Sequence, residues 1–133
     1  MGVSDTHINL VKAMASWVKQ NCHPNEHALM LLDLPETLRR DNPPLIGGYI
    51  PDLYIKSERM IIGEAKTSQD IETKHSREQY TQYLKHLKQY RDSLFIMAVP
   101  WNCVPSTKSL IRRVQKNINA ENVNTVILEK LPG

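Results

Sequence analysis

The segment Met60-Ile61-Ile62-Gly63 is the feature that most restricts the fold of this chain. Side chains alternate between the two faces of a β-strand, so consecutive apolar residues place hydrophobic groups on both faces. A strand of this kind lies in the interior of a sheet whose two faces are both covered. The sequence therefore predicts an α/β fold with Met60 to Lys66 as a central strand.

Helical and strand patterns alternate along the rest of the chain. A first helix is capped by Ser4 or Asp5 and ends before His23-Pro24, a second runs from Ser76 to about Asp92, and a third is capped by Ser106. The residues that these helices are predicted to bury are Ile8, Val11, Met14, Trp17 and Val18; then Tyr80, Tyr83, Leu84, Leu87 and Tyr90; then Leu110, Ile111, Val114 and Ile118. The predicted strands are Ala28 to Leu34, Ile46 to Ile55, Met60 to Lys66, Leu94 to Val99 and Val123 to Leu128. This order predicts a mixed sheet flanked by helices.

The totals are those of one globular domain, residues 1–133. The chain has 133 residues, of which 41% are hydrophobic and 23% charged. No apolar run approaches the roughly 18 residues of a membrane span, and the first residues lack a secretory pattern. We therefore expect a cytoplasmic protein that does not contact membranes. The net charge of +3 is compatible with a nucleic-acid partner but does not predict one.

Two segments present possible metal ligands. Cys22 to His27 contains Cys and His residues, but no second cluster completes a zinc site, so we interpret the segment as a polar loop. Glu64 and Lys66 share one face of the apolar strand, and Asp52 belongs to the preceding strand across the charged turn Lys56 to Arg59. Glu72-Thr73-Lys74 repeats the acid-x-lysine triplet in polar surroundings, which shows that the apolar context distinguishes the first triplet.

Burying charged groups is costly unless they are paired or bound to a metal. Glu64 and Lys66 alone would make a structural ion pair. Asp52 adds a second carboxylate, and one ammonium does not compensate two acids. A divalent cation would, and oxygen ligands with water suit Mg²⁺. The cluster therefore predicts a metal site.

The spacing of these residues also resembles a known signature. Pro51-Asp52, eleven further residues and then Glu64-Ala65-Lys66 is similar to the motif of the PD-(D/E)xK nuclease superfamily, which includes restriction endonucleases, Holliday-junction resolvases, RecB-type exonucleases and virus-type replication-repair nucleases. The resemblance covers about Ile46 to Val99. It implies a restriction-endonuclease-like fold, with an αβββαβ core followed by a C-terminal helix and strand, and it implies metal-dependent hydrolysis of DNA.

The resemblance also implies roles for individual residues. Asp52, Glu64 and the Ala65 carbonyl would hold Mg²⁺, with Mn²⁺ as a substitute, and Lys66 would position or deprotonate the attacking water. Gln79-x-x-x-Tyr83 resembles the glutamine-tyrosine motif of the RecB-type branch and adds two candidate catalytic residues. The alternatives are that Gln79 forms a capping box with Ser76 and that Tyr83 serves the core.

One part of the family pattern is missing. Many members carry a metal-binding glutamate on the first helix, whereas Thr6 to Gln20 contains no glutamate. Glu26, which follows that helix, is a candidate replacement. The number of metal ions stays open between one and two.

Three basic groups are candidates for DNA contacts. Lys74, His75 and Arg77 come just before the second helix, and we expect them to bind phosphates. Arg39 and Arg40 precede the Asp52 strand, while the group Arg112, Arg113 and Lys116 is interpreted as a solvated helix surface. The expected function is a Mg²⁺-dependent endodeoxyribonuclease, and a homodimer would allow both strands of a duplex to be cut. The alternatives are a non-catalytic nucleic-acid-binding or assembly module of the same fold, or a nuclease subunit that is active only with partner proteins.

Overall fold

The computed structural model describes residues 5–37 and 41–128 and contains a five-stranded mixed sheet flanked by helices. The α-helices are α1 (Asp5–Asn21), α2 (Pro24–Ala28), α3 (Lys74–Leu87) and α4 (Val104–Asn117), and the strands are β1 (Leu31–Leu32), β2 (Leu53–Lys56), β3 (Met60–Ala65), β4 (Leu94–Ala98) and β5 (Asn124–Ile127). The predicted α/β class and the order of the strands and long helices are confirmed. Within the described residues, each helix is too short or too polar to cross a lipid bilayer.

The strands follow the order β1-β2-β3-β4-β5 across the sheet. β1 to β3 pair antiparallel, whereas β3, β4 and β5 run parallel, with α3 and α4 as the crossover connections. β3 is central and buried at every position, which confirms the prediction for this strand. We call the end of the sheet at which β3 and β4 finish, near Ala65 and Ala98, the carboxyl edge. The opposite end, with the turn before β3, is the amino edge.

Each face of the sheet has its own apolar core. α1 packs on one face through Leu10, Val11, Met14 and Val18, against apolar residues of β2, β3 and β4. α3 and α4 pack on the other face, where Tyr80, Tyr83, Leu84 and Leu87 are fully buried. The predicted apolar stripe of α3 is therefore confirmed for these four residues, and Tyr90 lies half-buried beyond the end of the helix.

The capping box predicted for Ser76 and Gln79 is wrong. α3 begins at Lys74 because Thr73 is its N-cap and accepts a hydrogen bond from the Ser76 amide over 3.1 Å. The helix ends at Leu87 rather than near Asp92. Gln79 therefore lies within α3 rather than at its cap, and its side chain is buried.

The predicted strand Ile46 to Ile55 is much shorter in the structure. Gly47 and Gly48 have φ values of 59° and 92° and form a turn that pairs Ile46 with Tyr49. A Cβ atom on Gly47 would lie only 2.6 Å from the Cβ of Gln82, so this turn rests closely on α3. β2 starts only at Leu53, after Pro51, which agrees with the bend expected at this proline.

Other boundaries also differ from the sequence predictions. The segment interpreted as a polar loop after α1 contains the short helix α2, and the strand predicted for Ala28 to Leu34 is reduced to Leu31–Leu32. α4 starts at Val104 with Cys103 as its N-cap, so Ser106 lies in its first turn and is not the cap.

Candidate active site

Asp52 and Glu64 come together at the carboxyl edge because of the register of β2 and β3. Leu53 pairs with Gly63, so one further step along the antiparallel pair places Asp52 opposite Glu64. Asp52 and Glu64 are buried, with 5% and 4% of their surfaces exposed. The Ala65 amide donates a hydrogen bond of 2.8 Å to Oδ2 of Asp52 and fixes that side chain beside the end of β3.

Lys66 completes the predicted acid-acid-lysine set. Its Nζ lies 3.5 Å from Oε2 of Glu64 and donates a hydrogen bond to Oε1 of Gln79 on α3. Its backbone amide donates to the carbonyl of Ala98 over 3.1 Å, which continues the β3–β4 pairing past the end of the strand. The structure therefore brings Asp52, Glu64, Lys66 and Gln79 to one place, and the ammonium is held between a carboxylate and an amide.

The ionised form of Glu64 is unfavourable in this cluster. Burial raises the pKa of Glu64 well above its usual range, and the negative charge of Asp52 raises it further, whereas Lys66 acts in the opposite direction. Oε1 of Glu64 is buried and has no hydrogen-bond partner among the described residues. Such an atom carries the full cost of its lost hydration. The ionised form of Glu64 is therefore poorly compensated, and its Oε1 is available as a metal ligand.

A hard divalent cation fits this donor set. Carboxylate oxygens are the ligands that Mg²⁺ prefers, and two carboxylates with several waters are a common arrangement for it. Within residues 5–37 and 41–128, no cluster of three or more His, Cys, Asp or Glu side chains is arranged to hold a metal. Ala65, the predicted carbonyl ligand, is the last residue of β3 and directly follows Glu64 in the chain. Coordination here would therefore depend on a backbone carbonyl and water besides the two carboxylates.

Tyr83 packs in the core, and its hydroxyl is affected by the charges of Glu64 and Asp52. Its ring is fully buried, with its centroid 6.3 Å from that of Phe95. Its hydroxyl is buried without a hydrogen-bond partner in the described part of the chain. Burial and then the charges of Glu64 and Asp52 raise the pKa of Tyr83, so the hydroxyl keeps its proton. Both interpretations of Tyr83 made from the sequence are compatible with this position.

The structure adds two residues that the sequence analysis missed. His7 on α1 places Nε2 3.3 Å from Oδ2 of Asp52, and this hydrogen bond is the main reason why the pKa of His7 is raised. The Asp33 amide donates to the carbonyl of Asp52 over 2.9 Å, and burial followed by the charge of Asp52 raises the pKa of Asp33. A search of the first helix for any metal-binding side chain, rather than for glutamate alone, would have found His7.

Glu26 does not replace the missing glutamate of the first helix, so that interpretation is wrong. Its carboxylate accepts hydrogen bonds from Arg59 over 2.6 and 3.1 Å, in the turn before β3. This turn lies at the amino edge, at the other end of β3 from Lys66. The ion pair lowers the pKa of Glu26 and leaves it engaged in holding α2 on the sheet.

The basic residues expected to bind phosphates lie on the first turn of α3. Lys74, His75 and Arg77 are exposed, and the His75 ring meets that of Tyr49 edge-on with centroids 5.4 Å apart. Lys74 and Arg77 line a shallow cavity of about 310 Å³. Arg112, Arg113 and Lys116 are exposed on α4, as expected for a solvated surface, and Arg39 and Arg40 lie outside the described residues.

Comparison with known proteins finds no relative of this chain. The chain matches no protein-family model, no curated protein and no solved structure. Support for a function therefore comes from the geometry of Asp52, Glu64 and Lys66 at the carboxyl edge.

Proposed function

We propose that this protein is a Mg²⁺-dependent nuclease that hydrolyses the phosphodiester bonds of DNA, with a restriction-endonuclease-like fold of the PD-(D/E)xK superfamily. The observation that supports it best is the buried Glu64 carboxylate, which faces Asp52 across the strand pair and keeps one oxygen unpaired beside Lys66. A protein that needed only a stable sheet would be better served by apolar residues at these positions.

Asp52, Glu64 and the Ala65 carbonyl would hold the metal, and Mn²⁺ would replace Mg²⁺. When bound, Mg²⁺ lowers the pKa of water and polarises the phosphate. The Ala65 amide and His7 keep Oδ2 of Asp52 in a fixed orientation. Lys66, held by Gln79 beside Glu64, orients the attacking water or stabilises the charge that develops on the phosphate oxygens. Tyr83 would supply a neutral hydroxyl in the field of Glu64 and Asp52, whose charges raise its pKa.

Cleavage of labelled DNA with and without Mg²⁺ tests the proposal. We expect cleavage only with the metal, and we expect Lys66→Ala to reduce it by at least about 100-fold, because an electrostatic group aimed at the transition state is lost. Lys85→Ala is the matched control, since Lys85 is an exposed lysine of α3. Thermal unfolding of both variants checks that the fold is kept. Full activity of Lys66→Ala would remove the role given to Lys66.

Metal binding can be measured separately from cleavage. We expect Asp52→Asn to lose Mg²⁺ affinity in calorimetry, because one of the two carboxylates becomes a neutral amide. Unchanged affinity would contradict the proposed site. Binding of DNA and Mg²⁺ without any cleavage would favour the non-catalytic module, or a subunit that cuts only with partner proteins.

The role of the α3 cations in DNA binding has its own test. Each phosphate contact that is lost reduces the slope of log affinity against log salt by about 0.7 to 0.9. We expect this reduction for Lys74→Ala and Arg77→Ala, and no change for Arg112→Ala on α4. If Lys74→Ala and Arg77→Ala keep the slope of the unmodified chain, the first turn of α3 does not contact the DNA backbone.

Two copies of the site would allow both strands to be cut where they are locally unpaired, so we also propose a homodimer. Sedimentation with and without a duplex measures this directly. A monomer under both conditions would leave one site for each substrate molecule.

A further inference from the structure

Large apolar side chains are exposed mainly around the candidate active site. Among the described residues, those with substantial exposure are Leu29, Leu45, Ile50 and Trp101. Leu45 and Ile50 flank the turn that leads into Asp52, and Trp101 follows β4. β1 runs toward the carboxyl edge, since Leu31 pairs with Tyr54 and Leu32 with Leu53, the first residue of β2. Leu29, which precedes β1, therefore lies toward the amino edge. Three of the four therefore lie at the carboxyl edge.

Trp101 is both the most exposed of these side chains and firmly supported. Its exposed fraction is 76%, whereas tryptophan is usually well buried. Trp101 comes three residues after Ala98, the carbonyl partner of the Lys66 amide, so its Cα lies within about 11 Å of that of Ala98. The ring stands on the short 3₁₀ turn Trp101–Cys103, closed by a 2.8 Å hydrogen bond from the Cys103 amide to the Pro100 carbonyl, and α4 follows directly. The indole is thus presented to solvent on a short, hydrogen-bonded support.

The two apolar groups bracket the site. β2 and β4 are the two neighbours of β3 in the sheet, so the segment before β2 and the segment after β4 lie on opposite sides of Glu64 and Lys66. Adjacent strands are about 4.8 Å apart, which gives roughly 10 Å between β2 and β4. A strip of this width suits one nucleotide strand, with its phosphate over the acids and its bases to either side.

We infer that Trp101 is a stacking platform for an unpaired base, and that the protein acts on DNA that is single-stranded or locally unpaired beside the cut bond. This inference rests on the proposed nuclease function for the nature of the polymer. Aromatic side chains bind single strands because every base offers a flat face, whereas base pairs in a duplex keep these faces covered by their neighbours. Leu45 and Ile50 provide an apolar surface for the base on the other side of the site.

A protein partner is the competing occupant of these side chains. Stable protein interfaces bury about 800 Å² on each partner in a continuous patch. Here the apolar groups are divided between two sides of a buried acidic cluster, and Lys74 and Arg77 stand exposed on α3 at the same edge. Anionic strands with apolar bases match this mixture of cations and isolated apolar groups better than a protein surface does.

Fluorescence of Trp101 tests the inference directly. The substitution Trp17→Phe leaves Trp101 as the single tryptophan of the chain. With EDTA present to prevent cleavage, we expect a single-stranded oligonucleotide to quench Trp101 strongly and the same sequence in a closed duplex to quench it little. Anisotropy of a labelled single strand compares Trp101→Ala, made without the Trp17 substitution, with the unmodified chain. We expect the variant to bind the single strand about 5- to 150-fold more weakly.

Two substitutions separate stacking from plain apolar contact. Trp101→Phe should keep most of the single-strand affinity, whereas Trp101→Leu should lose it, because leucine has no π face. Leu29→Ala is the control for an exposed apolar residue at the amino edge and should change nothing. Unchanged Trp101 emission with single strands, or equal affinity of Trp101→Leu and the unmodified chain, would overturn the inference. So would emission that changes with protein concentration alone, since this would indicate a contact between copies.

The two proposals fail in different ways. Single strands that stack on Trp101 while no condition gives cleavage would refute the nuclease and support the platform. Cleavage with Mg²⁺ that is equal on single strands and duplexes, and insensitive to Trp101→Ala, would support the nuclease and overturn the platform.

Discussion

Gln79 holds Lys66 with a group that carries no charge. An amide oxygen fixes the ammonium without neutralising it, whereas a carboxylate there would add a third acid to the site. The carboxylate beside Lys66 is that of Glu64, whose Oε2 lies 3.5 Å from Nζ. The positive charge is therefore held in a fixed position, where the proposed nuclease would use it on a phosphate.

We expect Gln79→Leu to lower kcat by about 10- to 100-fold, because Lys66 loses the acceptor that positions it. Mg²⁺ affinity should stay the same, since Asp52 and Glu64 are not touched. Gln89→Leu, the same change at an exposed position beyond α3, is the control. Single-turnover cleavage and calorimetry on both variants provide the measurements, and a parallel loss of metal affinity would show that Gln79 serves the carboxylates instead.

The residues of the site differ in how far local sequence predicts them. Asp52, Glu64 and Lys66 were found because the register of one hairpin brings them together, and this depends on a short stretch of chain. The contact between His7 and Asp52 joins residues 45 positions apart. It depends on how α1 is rotated and placed on the sheet, which the apolar period of a helix fixes only coarsely. Long-range contacts of this type were therefore missed.

At the scale of elements, the turn Ile46–Tyr49 shows why the strand before Asp52 was predicted too long. The residues on both sides of the two glycines are apolar or aromatic, as in a buried strand. Gly47 takes a left-handed conformation and lies against Gln82, and Tyr49 donates a hydrogen bond to Glu78 over 3.2 Å. These contacts with α3 replace sheet pairing, and the sequence of the turn does not contain them.

The same turn offers a matched pair of substitutions. Gly47→Ala should lower the free energy of unfolding by about 2–4 kcal/mol, because it combines a left-handed alanine with a clash against Gln82. Gly48→Ala should cost only about 1–2 kcal/mol, because the space beside Gly48 is open and the backbone strain acts alone. Urea unfolding compares the two variants. Equal losses would mean that the turn is not packed on α3.

The whole molecule has two chemically different ends. At the amino edge, Glu26 and Arg59 satisfy each other and stabilise the fold. At the carboxyl edge, Asp52 pairs with His7 and Glu64 lies beside Lys66, but this contact does not offset the burial of the ionised Glu64 in the absence of a cation. Most of the sheet was predictable because apolar periods report burial. The imbalance at one edge was predictable because charge inside an apolar strand conflicts with that burial.

This imbalance predicts how stability depends on pH when no divalent cation is present. The pKa of Glu64 in the folded protein lies above its ordinary value of 4.5, so the folded state holds a proton that the unfolded state has released. The free energy of unfolding should therefore fall as pH rises from 4.5 through the raised pKa. The raised pKa of His7 acts in the same direction above 6.5, because its interaction with Asp52 is lost as the imidazole deprotonates.

Mg²⁺ should reverse this trend, because at the proposed site it would bind the ionised carboxylates with an affinity that grows as they lose their protons. At a concentration of about 100 times Kd, it should add about 2.7 kcal/mol to the free energy of unfolding at neutral pH. Urea unfolding over a pH series, in EDTA and in Mg²⁺, measures both effects. Glu64→Gln is the control. It should remove the loss of stability that begins at pH 4.5, and it should remove most of the stabilisation by Mg²⁺. A Glu64→Gln variant that still gains as much from Mg²⁺ as the unmodified chain would place the metal away from Glu64 and refute the proposed site.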